Sequence, residues 1–239
     1  MKYPVRELVT ILVGFVIFSV LLLGGMDIIL GKASEQVGAV IAFLGFLPAL
    51  WLAVSAVGRR PFRQIVAAPT ASWRAARVAL LVAVPVAAAV VAGGIAMLGV
   101  NRMPTPAWVM VLLLVATPVM ALAEELLFRG WFPQFFGFWI KNPWVAFFLP
   151  VPFFAAIHAP TDAMTWAGHL ISGACFAYLA LRAQSLAASA VVHATSNLAL
   201  SIADYFTSYS GGEMVPVILA VKTVLLVAVT AVIGWRLSR

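Results

Sequence analysis

Residues 124–129 read Glu-Glu-Leu-Leu-Phe-Arg, inside a run that is otherwise apolar enough to cross a bilayer. On insertion scales an acidic or basic side chain costs about +2.5 to +3.5 kcal/mol at the bilayer centre, so a charge cluster there asks for a function. Glu125 and Arg129 stand four apart, share a helix face and can pair. Glu124 is rotated from Glu125 by about 100°, at 3.6 residues per turn, and can point elsewhere. The same four-residue spacing recurs in Phe154 with His158 and in His193 with Asn197. If the three segments pack together, two imidazoles, an amide and a carboxylate converge.

That set has the parts needed to hydrolyse an amide. A carboxylate stripped of solvent can take a proton from water, and a histidine can share that task or protonate the departing nitrogen. An imidazole N–H and an Asn amide can donate to the oxyanion of a tetrahedral intermediate. The alternative is a zinc site with Glu124, His158 and His193 as ligands and water in the fourth position. A site without metal or other cofactor is favoured, because zinc ligation leaves Asn197 without a task. Taken singly, an intramembrane histidine is more often packed and hydrogen-bonded, and a Glu–Arg pair more often a clamp. Three groups on three segments at one spacing are poorly explained that way.

The elements that must position these residues are membrane helices. The 239 residues are 64% hydrophobic and 10% charged, with a mean hydropathy of +1.08, more apolar surface than a soluble domain of this length can bury. The reading is an all-α, polytopic transmembrane bundle forming a single domain over 1–239. About eight spans are expected, near 8–30, 37–57, 78–100, 106–128, 144–158, 164–181, 185–203 and 214–235. The first is too long for a signal-peptide core and is read as retained. With both termini cytoplasmic, Lys2, Arg6, Arg59, Arg60, Arg63, Arg74, Arg77, Lys141, Arg182, Arg236 and Arg239 fall inside, against Lys32 and Arg102 outside. The net charge of +7 therefore describes topology rather than a nucleic-acid surface. Residues 58–77 read as an inner-leaflet or solvated connection, and the apolar stretch 131–140 as a dip back into the membrane. Trp73, Trp108, Trp139, Trp144, Trp166 and Trp235 mark span ends. Gly168-x-x-x-Ser172 and Gly173-x-x-x-Ala177 give the sixth span faces for close packing, and Cys175 reads as a small buried hydrophobe.

Glu124-Glu125-Leu126-Leu127-Phe128-Arg129-Gly130, then Phe154-x-x-x-His158, then His193-x-x-x-Asn197 resembles, in order, the CPBP (Abi) family of CAAX-protease and bacteriocin-processing intramembrane proteases. These are related to the endoplasmic-reticulum enzyme that removes the last three residues of prenylated CAAX proteins. The resemblance covers about 110–200. It implies that Glu124 and His158 activate water, that His193 and Asn197 stabilise the oxyanion, and that Glu125 and Arg129 hold the helix geometry while Phe154 packs beside the site. His169 belongs to none of these motifs and reads as packed or interfacial. Asp27, Asp162 and Asp204 lie near span ends, and Lys222 is given no role beyond snorkelling or bonding a carbonyl.

The leading expectation is an intramembrane endopeptidase acting on a membrane-anchored peptide or protein, with a lipidated or hydrophobic tail, in a prokaryotic plasma membrane. The alternatives are a catalytically silent immunity factor or scaffold, and a proton-coupled transporter, since intramembrane Glu and His also build proton relays.

Overall fold

The computed structural model describes residues 5–6, 8–10, 12–14, 16, 45, 48–57, 59, 61, 72–101, 106–208 and 215–239. All regular structure among them is helical. The elements that matter to the site are α1 (Ser72–Leu98), α2 (Ala107–Glu125), a π-helical segment Leu126–Trp131, α3 (Phe132–Trp139), α4 (Pro143–Phe148), α5 (Val151–Ala156), α6 (Ala163–Ala183), α7 (Leu186–Thr207) and α8 (Val215–Leu237).

Among the described residues, five helical stretches are long and apolar enough to cross a membrane: Trp73–Leu98, Met110–Trp139, Ala163–Ala183, Leu186–Thr207 and Pro216–Leu237. They correspond to the spans expected at 78–100, 106–128, 164–181, 185–203 and 214–235. The expected span 8–30 falls largely outside the described residues, as does most of 58–77; of 37–57, residues 45 and 48–57 are described and are helical. From Ser72 onward that connection is already α1, so the helix begins a turn and a half earlier than its hydropathy suggests. The six tryptophans expected at span ends are all exposed, as rings facing a headgroup layer would be.

Two expectations need correction. The span placed at 106–128 does not stop at Phe128, and residues 131–140 do not form a separate dip. The chain stays helical to Trp139 through a wider π turn, in which the Phe132 N–H donates to the Leu127 carbonyl five residues back. A π turn just ahead of Pro133 makes room where a proline ring would otherwise strike the carbonyl four residues before it. The span placed at 144–158 is also not one full-length helix. Asn142 caps α4, accepting from Trp144 N at 2.9 Å, and Pro143 suits the first helical position. The helix then breaks at Leu149-Pro150, where proline has no N–H to offer. The apolar stretch Pro143–Ala156 is a short helical one; at 1.5 Å per residue its length is about 21 Å, against a hydrocarbon core of about 30 Å.

α7 sits at the centre, with α1 along one side and α2 along another, while α6 packs on α7 and α5, and α8 packs on α6 and α1. Asp162 caps α6 by accepting from Thr165 N at 2.9 Å, and Ser185 caps α7 by accepting from Ala187 N at 3.2 Å. Gln184 between them takes φ 47°, which turns the chain within two residues and brings α7 back against α6. The core joins Phe128, Phe154, Phe176, Leu179, Val192 and Ile233. Cys175 is buried and unpaired with any other cysteine.

Candidate active site

α2 delivers two adjacent carboxylates into this core: Glu124 is 3% exposed and Glu125 is fully buried. Glu125 lies in an ordinary α-helical turn, but the π segment that starts one residue later sets where Arg129 falls. Its guanidinium donates to Glu125 Oε1 at 3.0 Å and to the Gly173 carbonyl of α6 at 2.9 Å. It also lies 4.4 Å above the Phe154 ring and 5.4 Å from that of Phe176. A buried guanidinium thus has two hydrogen-bond acceptors and two aromatic faces, which offsets its removal from water. Gly173 makes room here: a Cβ on it would lie 3.0 Å from Phe154 Cδ1 and 3.2 Å from Val151 Cγ1, tight enough that a neighbour must give way. The small-residue face expected at Gly173 is therefore the seat of the Arg129 clamp.

Both histidines reach the same carboxylate. His193 Nε2 lies 3.7 Å from Glu124 Oε2, and His158 Nε2 lies 3.8 Å from the same oxygen. Glu124 Oε2 is buried and makes no hydrogen bond. The far nitrogen of each ring is tied. His193 Nδ1 is 3.0 Å from Glu125 Oε1, and His158 Nδ1 is 2.7 Å from the Phe154 carbonyl. A carbonyl only accepts, and a carboxylate bound to Arg129 only accepts, so both Nδ1 atoms carry the proton. Each ring then turns its Nε2 toward Glu124.

The rings are fixed by stacking. His193 lies on Phe176 with centroids 4.4 Å apart and planes 18° from parallel, and the Phe154 ring meets both His158 and His193. His158, delivered at the end of α5, has a side chain 27% exposed, whereas that of His193 is 3% exposed. The site is thus open on the His158 side. Just after His158 the chain turns through Ala159 at φ 45°, a left-handed conformation that costs an L-residue roughly 1–2 kcal/mol. Asn197 stands one turn beyond His193 on α7 and is half-buried.

The residues expected to gather, Glu124, Glu125, Arg129, Phe154, His158 and His193, do so, with Asn197 on the adjoining turn. The spacing argument left Glu125 bonding Arg129 alone, whereas its oxygen also holds His193. Phe176, the Gly173 carbonyl and the stack of His169 on His158, at 4.2 Å between centroids, had no motif to announce them. His169 is accordingly packed, as expected, but on a site residue. Of the acidic residues near span ends, Asp162 is a helix cap, while Asp27 lies outside the described residues.

In kind, Glu124 with two imidazoles whose far nitrogens are tied to oxygen is a donor set that suits zinc. Its gaps of 3.7 and 3.8 Å are wider than the separation of about 3.3 Å between ligands of a tetrahedral zinc with bonds of 2.0–2.1 Å.

Residues 106–199, which carry the whole constellation, match the family model of Rce1-like type II CAAX prenyl endopeptidases. The chain is also 28% identical over 173 residues to the uncharacterized protein YyaK of Bacillus subtilis (strain 168), an alignment covering 67% of this chain and 58% of that protein.

Proposed function

We propose that this integral membrane protein, whose residues 106–199 match the family model of Rce1-like type II CAAX prenyl endopeptidases, is an intramembrane endopeptidase. It hydrolyses a peptide bond in a membrane-anchored substrate whose tail is lipidated or hydrophobic. The observation that carries the reading is the convergence of His158 Nε2 and His193 Nε2 on the unbonded Glu124 Oε2.

A water held among these atoms has two protons for three acceptors. In the proposed arrangement His193, which faces two carboxylates at 3.0 and 3.7 Å, is the donor. His193 then donates from Nε2, while Glu124 and His158 accept the protons of water. Attack on the scissile carbonyl passes one water proton to Glu124 or His158 and on to the departing amine. The charge that develops on the carbonyl oxygen meets His193 Nε2–H, joined by the Asn197 amide. Glu125 and Arg129 hold the His193 ring and take no part in proton transfer. The packing of Phe154 against both imidazoles supports a positioning role for it.

Water activation without metal is the favoured form. Were zinc present, Glu124, His158 and His193 would hold it, and it would supply a Lewis acid to polarise water and carbonyl. Cytoplasmic termini and a prokaryotic plasma membrane belong to this proposal; the arginine and lysine distribution and the Bacillus relative support them. The test is cleavage of an anchored peptide in proteoliposomes by protein treated exhaustively with chelator and checked by elemental analysis. Full turnover without metal is expected. Stoichiometric zinc, with activity lost on chelation and restored by zinc, overturns the metal-free form. No cleavage of any anchored peptide, with proton flux in its place, overturns the peptidase itself.

A further inference from the structure

Farther along α7 from His193 lies an apolar cavity of about 320 Å³, bounded by α1, α7 and α8. Val86, Val90, Gly93, Leu200 and Leu225 are among its walls, and Lys222 is its one charged lining residue. Met97, Val217 and Val221 on its margin are exposed, so it opens sideways onto the surface that lipid covers. A smaller pocket of about 50 Å³ also has Lys222 in its wall and runs on to Val192, the chain neighbour of His193.

Lys222 is half-buried and, among the described residues, makes no ion pair or hydrogen bond. It stands at the junction of the two cavities. The cavity has the volume of small-molecule pockets, about 300–1,000 Å³. An ammonium set in hydrocarbon walls is costly while unpaired, and the ligand that complements it is an anion carried on an apolar body.

We propose that this cavity binds an amphiphile with an apolar body and one carboxylate head, the head pairing with Lys222. Two sources share that chemistry: a fatty acid from the bilayer, and the free C-terminus of a hydrophobic peptide. The site does not depend on the peptidase reading, because binding is measured where no cleavage occurs.

The test uses the full chain carrying Glu124→Gln, in nanodiscs of zwitterionic lipid. Binding is measured for pyrene-labelled dodecanoic acid against its methyl ester, and for a hydrophobic tetrapeptide acid against its amide. The acid is expected to bind about ten- to a hundredfold more tightly than its neutral partner, the worth of one charge-assisted bond. Lys222→Met erases that ratio and Lys222→Arg keeps it. Gly93→Leu, whose side chain grows into open space within the cavity, weakens acid and neutral forms alike. Preference for the fatty acid assigns the ligand to the bilayer, and preference for the peptide acid assigns it to a peptide terminus. Equal binding of acid and neutral forms, or a ratio unchanged in Lys222→Met, overturns the proposal.

Discussion

Replacing Arg129 with alanine tests the clamp on which the site geometry rests. The side chain is 1% exposed, bonds Glu125 at 3.0 Å and the Gly173 carbonyl at 2.9 Å, and covers the Phe154 ring. Its removal leaves the Glu125 carboxylate buried with His193 and the Ser189 hydroxyl but no guanidinium, one residue from a second carboxylate. Breaking a buried pair from one side costs about 3–5 kcal/mol. At about 2–4 °C per kcal/mol for a chain of this size, the midpoint should fall by about 6–20 °C. The assay is thermal unfolding of the detergent-solubilised protein followed by intrinsic tryptophan emission. Arg129→Lys should recover only part of the loss, because one ammonium cannot reproduce the planar fork that reaches Glu125 and Gly173 together. Arg129→Met combined with Glu125→Gln should recover more than Arg129→Ala alone, since no charge is then stranded. A midpoint for Arg129→Ala within about 2 °C of wild type, less than 1 kcal/mol on the same scale, would show that the pair carries no structural load.

Asn197→Ala should stay folded and monodisperse while turnover falls by about 10²–10³, the usual cost of one oxyanion donor; single-turnover cleavage checks this, and wild-type turnover removes Asn197 from the site. Gly173→Ala should destabilise the protein by about 1–3 kcal/mol, as overpacked cores do, because its methyl meets Phe154 and Val151 at 3.0 and 3.2 Å; the unfolding midpoint reads it. Asp162 is held below the usual carboxylate range by the hydroxyl and N–H of Thr165. Its contribution to α6 is therefore present above the ordinary carboxylate value and lost as pH falls through the lowered one. The stability difference between wild type and Asp162→Ala should shrink on acidification, and a difference that grows instead would reverse the sign.

The polar residues were legible because charge and imidazole are conspicuous in an apolar chain, and four-residue spacing puts partners on one face. That reasoning brought Glu125 to Arg129 and marked Phe154 beside His158. It did not reach contacts made across helices by residues with no polar signature. The stacking of Phe176 on His193 is one such contact, and the carbonyl of Gly173 is another, since the need for a missing Cβ shows only when α6 meets Arg129. Hydropathy located five spans but misjudged two segments for the same reason: it averages over residues and is blind to local backbone demands. Pro133 brings a π turn rather than a break, so α2 runs on into α3, while Pro150 divides an apolar run that averages as one helix. A short broken helix need not begin at a membrane face, and this division lets His158 come within 3.8 Å of Glu124. Lys222, expected only to snorkel or bond a carbonyl, lines a cavity that no sequence pattern reveals.

The central claim is that Glu124 activates the water that cleaves the peptide. It is tested most directly by cleavage of a membrane-anchored peptide in H₂¹⁸O, with mass spectrometry of the new carboxyl terminus. Wild-type protein should place one ¹⁸O in that carboxylate during a single turnover, and Glu124→Gln, folded and inserted, should release no product. Labelled product formed by Glu124→Gln at the wild-type rate would contradict the account.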